Sequence, residues 1–315
     1  MATIQDWGRY GFQDRGVPVS GAMDREALRI ANLLVANAPG EAAVEITLGG
    51  FVAEFLDRAI FAVGGADLGP RLNGVPLPCW VQCTAEAGDM LSMDRRHSGC
   101  RVYLALAGGI DVPLVMGSKS TYLRGGFGGY RGRRLQSRDI LECGVPSCTA
   151  TFSRIGASGG AIVAWPSELI PAYSDHPILR VVPGPQAESV TEAGWARFLS
   201  CEYQLTDRSD RMGCVLRGPA ITHRMGADIL SDGAGFGAVQ VPGNGQPIVL
   251  MADRQTIGGY AKIATTASFD LPLLAQLLPG DTVRFSAIDL WEAREVHLRR
   301  EYRVRRAMQR LRGES

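Results

Sequence analysis

The sequence predicts a mainly β protein with a few helices, arranged as two units. Three observations predict it. Glycine is in excess, 39 of 315 residues, about 12% where about 7% is usual, and 17 prolines accompany it, so tight turns must be frequent. Apolar residues mostly recur with period two in segments too short for helices. The length, at about 150 residues per domain, suits two units, and the pattern restarts near Leu179-Arg-Val-Val-Pro-Gly-Pro.

In chain order, residues 1–23 are rich in Gly, Pro and Asp and read as irregular loop. Asp24 can cap a helix in which Ala27, Ile30, Ala31 and Leu34 share one face, with Arg25, Glu26 and Arg29 on the wet side. From Val44 the spacing predicts strands over 44–48, 52–55, 60–63, 80–83, 90–93 and 102–105, with Asn73-Gly74 as a tight hairpin turn. Residues 117–137 are dense in glycine and arginine and break the pattern. Strand fragments are expected at Ile140–Leu141 and Ala161–Ala164. A boundary near 165–178 divides the chain into an N-terminal β-barrel-like domain, 1–172, and a C-terminal domain, 173–315. The second should hold a short helix over 189–199, strands over 201–206, 214–217, 237–241 and 248–251, a helix over 272–277 and a strand over 282–286. The segment 289–312 reads as helix, with Trp291, Leu298 and Tyr302 on one stripe and arginines crowding its end, where cations suit the helix dipole. Gly-Asp turns at Gly88-Asp89 and Gly280-Asp281 are too common a signature to establish a duplication.

Charge and composition exclude several classes. Thirty-three basic against thirty-two acidic residues leave a net +1, which argues against a nucleic-acid-binding body. Lys119 and Lys262 are the only lysines. The seven cysteines (79, 83, 100, 143, 148, 201, 214) show no C-x-x-C spacing, and His97, His176, His223 and His297 are scattered, so neither a zinc site nor a disulfide framework is expected. An odd set of thiols, no signal peptide and no long apolar run point to a cytoplasmic protein with no membrane span.

The glycines invite a search for a nucleotide site, which fails. No G-x-x-x-x-G-K-[ST] occurs, and Gly125-Gly-Phe-Gly-Gly, Gly156-Ala-Ser-Gly-Gly and Gly235-Phe-Gly do not lie between a strand and a helix. No G-x-S-x-G occurs either. The more informative segment runs from Ser231 to Ala264. Two apolar strands there end in polar residues: Gln240, then Asp253-Arg254-Gln255-Thr256. Gly258-Gly259, Tyr260 and Lys262 follow. Polar groups at a strand end, beside a diglycine that admits close backbone approach, suit a small-molecule site able to bind an amide or carboxylate and move a proton. The same residues equally fit a β-turn held by an Asp–Arg pair, with Gln255 capping backbone. In the site reading, Asp253 and Lys262 are catalytic, the chain folds back at Gly258-Gly259, and Arg254 and Gln255 point to opposite faces. The segments 3–9, 16–24 and 209–213 carry polar residues in turns that composition alone reads as structural.

The chain resembles the allophanate hydrolase subunit 2, or biotin-dependent carboxyltransferase, family. The resemblance spans nearly the whole sequence. It rests on Thr3-Ile-Gln-Asp-Trp-Gly-Arg, Gly16-Val-Pro-Val-Ser-Gly-Ala-Met-Asp, Glu45-Ile-Thr-Leu-Gly-Gly, Gly64-Gly-Ala-Asp, Ala107-Gly-Gly-Ile and Gly117-Ser-Lys-Ser-Thr. Further on it rests on Val182-Pro-Gly-Pro-Gln, Ser209-Asp-Arg-Met-Gly, Ser231-Asp-Gly and the long run from Gln240 to Tyr260. Ala261 stands where the family often has Pro, and Gly235-Phe236 where Val-Pro is usual; neither departure removes a charged group. The resemblance implies tandem cyclophilin-like β-barrel domains. It also implies a multi-subunit activity: the C subunit of an ATP-dependent 5-oxoprolinase, which with a KipI-like B subunit and an A subunit opens 5-oxoproline to glutamate. The alternatives are a carboxyltransferase subunit acting on urea or a related amide with carboxybiotin carried in trans, and a KipA-like regulatory protein that binds a KipI-type kinase inhibitor. Each implies a small amide or lactam substrate or a protein partner. None implies a covalently bound cofactor or a metal, and the chain alone is expected to be inactive. Gln240, Arg254, Gln255, Gly258, Gly259 and Tyr260 would bind substrate around Asp253 and Lys262.

Overall fold

The computed structural model describes residues 1–146 and 163–311. Cys148, the Gly156-Ala-Ser-Gly-Gly cluster, the first half of the expected 161–164 strand and Arg312 lie outside the described residues. The chain is mainly β, as expected, and divides into two compact units. Met1–Gly8, Asp24–Ala172 and Arg300–Ser315 form the first, and Arg9–Met23 with Tyr173–Arg299 form the second.

The first unit has two antiparallel sheets around one core. The larger runs in the order Ala2–Gln5, Ala43–Thr47, Ser98–Leu106, Ala59–Asp67 and Gln82–Ala85. The smaller runs Phe51–Glu54, Met90–Met93, Pro70–Leu72 and Val75–Pro76. Alternating residues of the first sheet (Ile4, Val44, Ile46, Val63, Val102, Leu104) meet Leu91 and Met93 of the second in a single apolar cluster, as period-two strands with one buried face must. Asn73 and Gly74 both take positive φ, 52° and 79°, the geometry of a tight type I′ hairpin turn. Helix α1, Arg25–Leu34, starts as expected, because the Asp24 carboxylate accepts from the Ala27 N–H at 2.9 Å.

Two expectations shift. Ala2–Gln5 was expected as loop and is a strand paired with Ala43–Thr47. Its only large apolar residue is Ile4, between polar Thr3 and Gln5, and Gln5 is buried because its amide donates to Thr3 Oγ1 and the Thr121 carbonyl. The Ile140–Leu141 fragment is not a strand; pairing begins one residue on, at Glu142–Cys143 against Ile110–Asp111.

The second unit is a closed seven-stranded barrel. Its order is Ile178–Pro183, Lys262–Thr266, Ala238–Gln240, Ile248–Leu250, Gly213–Arg217, Tyr203–Leu205 and Thr282–Ala287, and the last strand pairs parallel with the first. Leu179, Val181, Leu216, Val239, Val249, Ile263 and Phe285 fill it. Helix α2, Glu192–Ser200, adds Phe198, stacked on Phe285 at 4.4 Å between ring centroids. A further two-stranded ribbon pairs Asp228–Gly233 with Ile257–Tyr260. Helix α3 spans Leu271–Ala275, and helix α4 spans Leu290–Leu311.

Candidate functional site

The polar segment read from the sequence lies in the second unit, where barrel strands give way to the ribbon. Ala238–Gln240 and Lys262–Thr266 are neighbours, with Gln240 opposite Lys262 across a bulge. This register brings five of the expected residues together. Gln240, 2% exposed, donates through its amide to the Tyr260 carbonyl at 3.4 Å and accepts from the Gln255 amide at 3.2 Å. Gly258 stands beside them, and a Cβ there would meet Gln240 Nε2 at 2.5 Å. Gly259 neighbours it on the same strand, with open room up to Ser231 Oγ.

Lys262 is 4% exposed, so its ammonium must be paired. Nζ donates to Asp232 Oδ2 at 2.6 Å and to the Gly233 carbonyl at 2.9 Å. The Asp232 side chain is 60% exposed, and the hydrogen bond from Lys262 holds its carboxyl below the usual range. The cation is therefore deep and its counter-ion lies at the surface. Gln186 clamps the Lys262 backbone: its N–H donates to the Lys262 carbonyl at 3.2 Å, and its Oε1 accepts from the Lys262 N–H at 3.1 Å.

Asp253 and Arg254 sit in the turn after Ile248–Leu250, not in a continuing strand. Asp253, 6% exposed, receives Nε and Nη2 of Arg211 at 2.9 and 3.1 Å, and its N–H donates to the Arg211 carbonyl at 2.8 Å. Arg211 also donates to the Gly21 carbonyl. Three of the segments that carry the family resemblance thus meet at one guanidinium. Arg254 donates to the Ala234 carbonyl at 2.9 Å and lies over the Phe236 ring. The loop 232–236 therefore supplies partners to both Lys262 and Arg254.

The expected direct approach of Asp253 to Lys262 is replaced by two separate ion pairs, Asp253–Arg211 and Lys262–Asp232. The physical reason is the diglycine. Gly258 and Gly259 are extended ribbon residues without positive φ, so the chain does not fold back there, and Gly258 instead makes room for the Gln240 amide. The Asp–Arg pair does exist, but its arginine is 211 rather than 254. Sequence reasoning passed over Arg211, Asp232 and Gln186. Their signal was available in the resemblance segments at 209–213, 231–233 and 182–186, which composition had treated as turns. Two cavities of about 290 and 350 Å³ lie away from this cluster, lined by first-unit residues such as Leu169 and Tyr302, and Leu33 and Met308. Polar convergence and burial, not cavity volume, mark the site.

Comparisons with known proteins agree with the resemblance. The model of the carboxyltransferase domain, subdomains A and B, matches residues 15–287. The chain is 40% identical over 291 residues to the C subunit of 5-oxoprolinase from Escherichia coli (strain K12), covering 92% of this chain and 89% of that protein. It is 36% identical over 300 residues to the corresponding C subunit of 5-oxoprolinase from Haemophilus influenzae, covering 95% and 92%. Among solved structures it is similar to the urea amidolyase of K. lactis, with a TM-score of 0.88 at 29% identity, over 98% of this chain and 19% of that much longer one.

Proposed function

This chain belongs to the carboxyltransferase-domain family, subdomains A and B, and on that premise we propose that it is the C subunit of an ATP-dependent 5-oxoprolinase, a cytoplasmic complex with KipI-like B and A subunits. The observation that carries the reading is near end-to-end similarity to proteins of that name, at 40% and 36% identity. Among the described residues no helix is long and apolar enough to cross a membrane.

The site suits a small lactam that bears a carboxylate. Lys262 is a buried cation whose carboxylate partner is surface-borne, so a substrate carboxylate can take the place of Asp232 and gain a charge-assisted bond in a drier setting. The Gln240–Gln255 amide pair offers a carbonyl and N–H groups of the kind that read an amide edge. Asp253, fixed by Arg211, is the proton acceptor of this scheme. Lys262 then neutralises either the carboxylate or a developing oxyanion.

ATP does not fit this chain's described residues. The Gly235–Gly237 cluster leads into the strand Ala238–Gln240, not into a helix that would cradle phosphate, so we assign nucleotide use to the other subunits. Both lysines are engaged, Lys119 with Glu41 and Lys262 with Asp232, which supports the absence of a covalent carrier. A second reading has its own support in the urea amidolyase fold match: a carboxyltransferase role on urea or a related amide, with carboxybiotin delivered in trans.

The test is reconstitution with KipI-like and A subunits. Asp253→Asn and Lys262→Met should each lower 5-oxoproline turnover by roughly a hundredfold or more, with folding and assembly intact. Near-normal turnover, or loss only through unfolding, returns these residues to structural roles. Carboxybiotin-dependent transfer without 5-oxoproline turnover would favour the second reading.

A further inference from the structure

Helix α4 has a side that the fold leaves uncovered. Val304, Ala307 and Met308 are its buried residues. At about 100° per residue, the opposite side carries Trp291, Leu298 and Tyr302, which are 74%, 54% and 62% exposed. Their spacings of seven and four are those of a two-helix seam. The flank beside this stripe is divided by charge. Glu292 and Glu295 occupy its first half, and Arg299, Arg303 and Arg306 its second. Arg299 is engaged within the helix by Glu295, an exposed i,i+4 pair of the weak kind.

We propose that this face is an interface between two copies of the chain, with the two α4 helices antiparallel and Leu298 near the two-fold axis. The charge pattern selects that occupant and that direction. In a two-fold interface the same patch faces itself, so antiparallel helices set the acidic half of one flank against the basic half of the other. Trp291 of one copy then lies opposite Tyr302 and Arg306 of the second, and Glu292 and Glu295 lie opposite Arg306 and Arg303. Those two arginines, with Leu169 and Tyr302, line a cavity of about 290 Å³ that can receive carboxylates. Arg306 already lies over the Tyr302 ring at 6.0 Å, leaving an aromatic and cationic surface for the incoming indole. A seam of this length falls short of the ~1,200 Å² of a standard interface, so the dimer should be weak and salt-sensitive.

Sedimentation equilibrium of the full chain tests this. The wild type should dimerise in the micromolar range and more weakly at high salt. Leu298→Asp should weaken the dimer at least tenfold, with an unchanged circular dichroism spectrum. The double variants Glu292→Arg/Glu295→Arg and Arg303→Glu/Arg306→Glu should each fail to self-associate, yet dimerise when mixed, because their flanks become complementary. The mixing result decides the matter even if Leu298→Asp fails to fold. A wild type that stays monomeric, a dimer indifferent to these changes, or charge variants that do not recover on mixing would overturn the proposal. So would a wild type that is monomeric alone but loses a KipI-like partner on Leu298→Asp, which would give the face to that partner instead.

Discussion

Two glycines near the site show how much one missing methyl group decides. A Cβ on Gly184 would come within 2.3 Å of the Lys262 carbonyl oxygen, a backbone atom fixed in the barrel. A Cβ on Gly258 would meet only the end of the Gln240 side chain, at 2.5 Å. Backbone cannot retreat without breaking the pairing around Gln186, whereas an amide end can rotate away. Gly184→Ala should therefore cost about 1–3 kcal/mol or more, and Gly258→Ala distinctly less, as read from urea midpoints. Equal losses would show that the Gln240 amide is as rigid as backbone. Arg211 makes a second case. Its partner Asp253 and its own side chain are each under a tenth exposed, so Arg211→Met leaves a buried carboxylate without its fork of donors. Removing one partner of such a pair costs about 3–5 kcal/mol. Arg211→Lys should recover only part of that, since an ammonium cannot match the two-point contact. A midpoint unchanged by either variant would show that Asp253 finds other donors.

At the scale of elements, legibility followed periodicity. The strands near 44–48, 52–55, 90–93 and 102–105 could be read because one face is buried and the other is not, so apolar and polar residues alternate. The strands Asp228–Gly233 and Ile257–Tyr260 could not. Asp228–Gly233 is exposed along nearly all its length, and Ile257–Tyr260 is half glycine, so neither carries a period. Missing this ribbon also misplaced the site geometry, because the ribbon, not a fold-back at the diglycine, sets Lys262 beside Gln240. The residue identities of the polar cluster were legible and its ion-pair partners were not, since pairing across 42 residues, as between Arg211 and Asp253, leaves no local trace. Helix α2 illustrates a shifted start. The sequence suggests 189, but 187–189 form a single 3₁₀ turn and the helix begins at Glu192, because Thr191 Oγ1 accepts from the Gly194 N–H at 3.0 Å. Thr191→Ala should then cost about 1 kcal/mol, within a usual range of about 0.5–2, and Thr191→Ser should recover most of it. Thermal unfolding of the two variants distinguishes a true cap from a bystander hydroxyl.

For the molecule as a whole, the family assignment raises the question of which steps this chain can perform unaided. Phosphate sites on β-rich proteins usually borrow helix N-termini, where unpaired N–H groups and the positive dipole end attract anions. Here the three longer helices already cap their own starts. The Asp24 carboxylate accepts from Ala27 at the start of α1, Thr191 accepts from Gly194 at the start of α2, and the Asp289 carboxylate accepts from Glu292 at the start of α4. Two of these three caps are carboxylates, which would repel a phosphate as well as block its donors. The glycines with positive φ at 125–132 do not help. Gly126, Gly128, Gly129 and Gly132 turn the chain there, but their loop opens onto no helix. The chain alone, given ATP, Mg²⁺ and 5-oxoproline, should therefore release no phosphate above background and form no glutamate. Adding KipI-like and A subunits should restore both, and omitting this chain should abolish glutamate formation. Robust phosphate release by the purified single chain would mean that a nucleotide binds without a helix N-terminus, most simply on arginines such as those of the 124–134 loop. Arg124→Ala and Arg131→Ala would then be the variants to lose it.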